Sequence, residues 1–105
     1  MAQEQNQPQQ QGQQVQVKVT DEALKGSYAN MVQIGHTAEE FILDFMNLFP
    51  PQGQLVSRVI VSPAHMKRIV TALEQNLKQY ESQFGVIQAG QGPATHNIGF
   101  RTENN

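Results

Sequence analysis

The segment from Ser62 to Gly85, SPAHMKRIVTALEQNLKQYESQFG, carries a start signal, a stop signal and an unbroken apolar stripe. Ser62 suits an N-cap, because its hydroxyl can accept from an orphan backbone N–H of the first turn. Pro63 then occupies the first helical position, where its missing N–H costs nothing and its fixed φ fits the helix. Met66, Val70, Leu73, Leu77, Tyr80 and Phe84 follow at alternating spacings of four and three, which places them on one face, and Ile69 widens the stripe. Gly85 stands where a left-handed residue closes a helix. The pattern predicts one long amphipathic helix whose stripe something else must cover.

The opposite face carries Lys67, Arg68, Thr71, Glu74, Gln75, Lys78 and Glu81. Glu74 and Lys78 form an i,i+4 pair in the favourable order, worth about 0.3 kcal/mol when exposed. Lys67 and Arg68 lie in the first turns, where the helix dipole disfavours cations. Two cations are too few for an anion site, so this face reads as solvated. The alternating stripe also permits a seam with a helix of a second chain.

The chain has 105 residues, enough for one small domain, and no cysteine, so neither a disulfide nor a thiolate metal site can reinforce a core of this size. An oligomeric interface is the remaining way to gain burial. The net charge is −2 and charged residues make up 15%, which leaves no basic face for nucleic acid. The Met1 end lacks the basic-then-apolar pattern of a signal peptide, and no apolar run approaches membrane-spanning length. A soluble, cytoplasmic protein with no membrane partner is expected.

Residues 1–14 are nearly all Gln and are expected to be a disordered tail. Residues 15–87 would form a single domain, and 88–105, rich in Gly, Gln and Asn, a flexible C-terminal tail in which Phe100 is the one candidate anchor. Val15 to Thr20 alternates strictly between Val and polar residues and predicts a half-buried strand. Asp21 to Lys25 reads as a turn ended by Gly26. Ser27 to Gly35 is a second strand candidate in which Asn30 interrupts the apolar side, followed by a turn at Gly35-His36-Thr37.

Thr37 to Phe49 admits two readings. As a helix, Thr37 and Glu40 make a capping box and Phe41, Phe45 and Leu48 a stripe. As a strand, Phe41, Leu43 and Phe45 line one face while Glu40, Ile42 and Asp44 line the other. Aromatic and β-branched content and the short distance from the preceding strand favour the strand. Pro50 to Gly53 reads as a loop. Gln54 to Val61 is a β-branched strand with apolar residues of both parities, expected in the centre of the sheet. The fold class that follows is α+β: an antiparallel sheet of three to four strands, then one long helix packed on it. Ile42 and Ile60 would remain on the other sheet face for a second subunit or the tails to cover.

The chemistry-bearing residues form no motif. His36, His65 and His96 are widely separated, and no metal-binding spacing occurs; His36 with Glu39 and Glu40 is the nearest approach to a ligand set. Ser27, Ser57, Ser62 and Ser82 lie in no nucleophile motif. Gly90-Gln91-Gly92-Pro93 lacks the lysine and following helix of a phosphate loop. No cofactor is implied and no enzyme is expected.

Several stretches nevertheless carry a resemblance: YANMVQIGHTAEEFILDF, VSRVIVSPAHMKRIV and LEQNLKQYESQFG. Between Val17 and Ile87 the chain resembles small prokaryotic proteins grouped as domain-of-unknown-function family 3467. The marks are Tyr28-Ala29-Asn30, Glu40-Phe41-x-x-Asp44-Phe45, the Arg58…Ser62-Pro63 junction and Tyr80-Glu81…Phe84-Gly85. The resemblance implies a compact sheet-plus-helix unit and carries over no activity or catalytic residue; the Gln-rich start lies outside it. The order of elements is also similar to SecB-like export chaperones, which assemble through their sheets, an analogy of architecture only.

The expected function is a non-enzymatic interaction module that self-associates as a homodimer and presents a surface to another protein. Tyr28, Asn30, Glu40, Asp44 and Arg58 are its candidate interaction residues, with cross-strand pairing as their plain structural alternative. A SecB-like holdase, and a small enzyme or metal protein using His36, Glu39 and Glu40, are the alternatives.

Overall fold

The computed structural model describes residues 13–93 and 98–103. The elements run α1 (Asp21–Lys25), β1 (Met31–His36), β2 (Phe41–Phe49), β3 (Gln52–Val61) and α2 (Pro63–Phe84). The strands form one antiparallel sheet in the order β1-β2-β3. Three antiparallel strands followed by one long helix are an α+β arrangement.

The ambiguous segment is β2, the central strand. Thr37 decides it. Its hydroxyl accepts from the backbone N–H groups of Glu39 (3.1 Å) and Glu40 (3.2 Å), and its own N–H donates to the Glu40 carbonyl at 2.9 Å. The group that would cap a helix closes the β1–β2 hairpin instead. The second hairpin turns at Pro50 and Pro51, joined by a cis peptide bond, and Gln52 and Gly53, expected in a loop, already belong to β3.

Pairing sorts the side chains into two faces, because directly opposed residues project to the same side. On one face lie Val32, Ile34 and His36 of β1, Phe41, Leu43 and Phe45 of β2, and Val59 and Val61 of β3. On the other lie Met31, Gln33, Ile42, Asp44, Met46, Arg58 and Ile60. A bulge at Val56 shifts the β2–β3 register between Phe45 and Met46. Beyond it Gly53 stands opposite Leu48, where an added Cβ would come within 2.5 Å of a Leu48 methyl.

Three expectations about strands are corrected. Val15 to Thr20 is not a strand: it is extended and unpaired, its valines are exposed, and Thr20 serves instead as the N-cap of α1, accepting from the Ala23 N–H at 3.0 Å. Alternation marks a strand only where an edge accepts it. Asp21–Lys25 is a single helical turn, ended by Gly26 at φ 78°. The second strand starts at Met31 rather than Ser27. The last strand is an edge, not the centre, so its apolar residues on both faces reflect two open sides.

The helix matches its signals residue by residue. Ser62 accepts from the His65 N–H at 3.1 Å, Pro63 begins the helix, and Gly85 (φ 96°) ends it, its N–H donating to the Glu81 carbonyl at 2.9 Å. The Glu81 carboxylate also accepts from the Ile87 N–H at 3.0 Å, and the Tyr80 and Phe84 rings lie 4.9 Å apart.

The helix meets the sheet only at its start. Phe41 and the first turns of α2 line an open groove of about 770 Å³ with Pro63, Met66 and Val70. Beyond it the stripe is bare: Leu73, Leu77, Tyr80 and Phe84 are between 50% and 70% exposed. Ser62 is the whole connection between β3 and α2 and is itself extended (φ −72°, ψ 158°), as a residue before proline must be. The helix approaches the sheet no further than this groove.

The buried core of the described residues is correspondingly small: Leu43 at 8% exposure, Met46 at 2% and the polar Asp44 at 5%. The accessible surface is 9207 Å².

Candidate functional site

Asp44 and Arg58 face each other across β2 and β3. Arg58 Nε donates to Asp44 Oδ1 at 2.7 Å and Nη2 donates to Oδ2 at 2.9 Å, a bidentate pair. The carboxylate is buried while half of the arginine side chain remains in solvent. The Arg58 hydrogen bonds hold the Asp44 carboxyl below its ordinary value, against the opposing effect of burial and with help from the positive charge. This explains a carboxylate on a sheet face: the pair satisfies the one charged residue buried among the described residues.

Asn30 has a comparable structural task. Its side-chain amide donates to the Leu48 carbonyl at 2.9 Å and its carbonyl accepts from the Leu48 N–H at 2.8 Å, while its backbone N–H donates to the Met46 carbonyl at 3.0 Å. The carboxamide thus stands in for one more peptide of β1, extending the ladder. That is why an asparagine interrupts the apolar alternation there.

The five candidate interaction residues do not form one cluster. Asn30 binds β2 near its end at Leu48, Glu40 precedes β2 at the opposite hairpin, and Asp44–Arg58 lies between them. Tyr28 and Glu40 are exposed. His36, the centre of the alternative metal set, turns its ring toward Phe41, with centroids 5.4 Å apart. Among the described residues no group of three His, Asp or Glu side chains could hold a metal ion. His96 lies outside them.

What the structure does assemble is an apolar surface in two parts. One is the α2 stripe. The other is the sheet face bearing Phe41, Leu43 and Phe45, whose margins Val32, Ile34 and Val59 are between 41% and 48% exposed. Sequence reasoning placed the stripe but assigned the sheet as its cover. The missed signal is the Val61-Ser62-Pro63 junction, where the strand ends, the cap stands and the helix begins in consecutive residues.

The recognised motifs coincide with these structural bonds: Asn30 with the β2 backbone, Asp44 with Arg58, the Ser62 cap, and Tyr80 to Gly85 at the helix end. A family model described as "Protein of unknown function (DUF3467)" matches residues 1–89. The chain belongs to this family. The match includes the Gln-rich start, which the resemblance had left outside. No curated protein and no solved structure matches the chain, and the likeness to SecB-like chaperones is not shown by these comparisons. Among the described residues, no helix of this DUF3467 chain is long and apolar enough to cross a membrane.

Proposed function

We propose that the protein is a non-enzymatic, cytoplasmic interaction module that acts as a homodimer and presents the resulting surface to another protein. The observation that supports this reading is the exposed stripe of α2, from Leu73 to Phe84, beside a sheet whose apolar face leaves Val32, Ile34 and Val59 between 41% and 48% exposed. Exposed apolar area on this scale is unusual for a monomer and marks an interaction surface.

Dimerisation links stability to concentration, because the associated state alone buries the stripe. The melting temperature should rise by several degrees between 1 and 100 µM chain. A melting temperature independent of concentration, with a cooperative transition, overturns the reading.

A SecB-like holdase would use the same exposed surface but requires it to stay open to clients in the native assembly. Suppression of the aggregation of an unfolded client at stoichiometric amounts would favour it over the homodimer.

A further inference from the structure

We propose that the dimer forms by reciprocal helix exchange: α2 of each copy lies along the Val32, Ile34, Leu43 and Val59 face of the other copy's sheet. The proposal rests on the self-association put forward above and names its partner surface.

Three observations carry it. The junction between β3 and α2 is the single residue Ser62, held extended by Pro63. Connections between strands and helices in compact domains usually take two to six residues. A one-residue connection is shorter than these, and short hinges of this kind favour exchange of an element between copies.

The dimensions fit. The helix has 22 residues, about 33 Å at 1.5 Å per residue. The central strand has nine residues, about 30 Å at 3.4 Å per residue. One helix therefore spans one sheet.

The chemistry selects the face. Leu73 and Leu77 can meet Val32, Ile34, Phe45 and Val59 without burying a charge, whereas the opposite face presents Arg58 and Gln33. A seam of helix against helix would cover the two stripes but leave both sheets bare. Exchange covers the stripe and the sheet in one two-fold interface, and a two-fold axis makes each contact twice.

The chain has no cysteine, so placed cysteines report the pairing directly. One set of chains carries Val32→Cys, Ile34→Cys or Val59→Cys, and a second set of different mass carries Val70→Cys, Leu73→Cys or Leu77→Cys. All six positions are partly exposed, and circular dichroism verifies that each variant keeps its helix and sheet. The sets are denatured together, refolded and oxidised, and sedimentation measures the mass of each refolded mixture before oxidation. Exchange predicts a dimer and a disulfide joining sheet-labelled to helix-labelled chains in at least one combination. A dimer that links only helix to helix, or forms no link in any combination, overturns exchange while leaving self-association standing. Double-cysteine chains that close the sheet–helix disulfide within one molecule overturn it as well. A folded monomer overturns both readings.

Discussion

The guanidinium of Arg58 grips both carboxylate oxygens of Asp44, at 2.7 and 2.9 Å, across the two strands that form the longest pairing in the sheet. Because the arginine lowers the Asp44 pKa, the unfolded chain takes up its proton first as acid is added. The pair's contribution is present in full above the ordinary aspartate value of about 3.9 and is lost as the pH falls through the lower folded value. Asp44→Asn should therefore be less stable than the parent in urea at pH 7, with the gap closing below about pH 4. Arg58→Lys, which keeps the charge but not the fork, should fall between Arg58→Gln and the parent. A gap that stays constant from pH 7 to pH 3 would remove the electrostatic explanation.

Asn30 acts through geometry rather than charge. Asn30→Ala should cost on the order of 1–2 kcal/mol, since it removes two hydrogen bonds and leaves Leu48 without its partner. Asn30→Asp keeps the acceptor for the Leu48 N–H and loses the donor to its carbonyl, so it should be less damaging to that amide. Hydrogen exchange at Leu48 reads the difference: fast in Asn30→Ala, slower in Asn30→Asp. Unchanged protection in Asn30→Ala would show that the ladder does not need the side chain.

The ends of α2 offer an independent check on local physics. Ser62→Ala should cost about 1 kcal/mol and Ser62→Asp close to nothing, because aspartate caps equally well. Gly85→Ala should cost about 1–3 kcal/mol, because φ 96° with an extended ψ is a conformation that only glycine adopts readily. Chemical denaturation followed at the helix band decides both. A neutral Gly85→Ala would mean the helix end relaxes freely.

Much of this fold is legible in the sequence where a local rule acts alone. Ser62, Pro63, the stripe and Gly85 specify α2 because capping and periodicity are properties of consecutive residues. The strand at Phe41–Phe49 is legible from its branched and aromatic content, although Thr37 and Glu40 equally spell a helix start. What decided there was the Thr37 hydroxyl bonding to Glu39 and Glu40 in a hairpin turn, a choice made by the neighbouring strand. Val15 to Thr20 misleads for the same reason, since its alternation is real but no edge receives it. The Asp44–Arg58 contact was visible only as two residues worth watching, because register, not composition, sets them opposite each other. The bare stripe was hidden by the ordinary assumption that a helix following a sheet covers that sheet. The single-residue junction at Ser62 was the clue against it.

The central claim is that this surface is covered by a second copy of the chain. Sedimentation equilibrium of the full chain between 1 and 100 µM tests it most directly. The account predicts the mass of two chains across that range, and a shift toward one chain in Leu73→Glu with its helix content retained. A well-folded single chain at every concentration would contradict it.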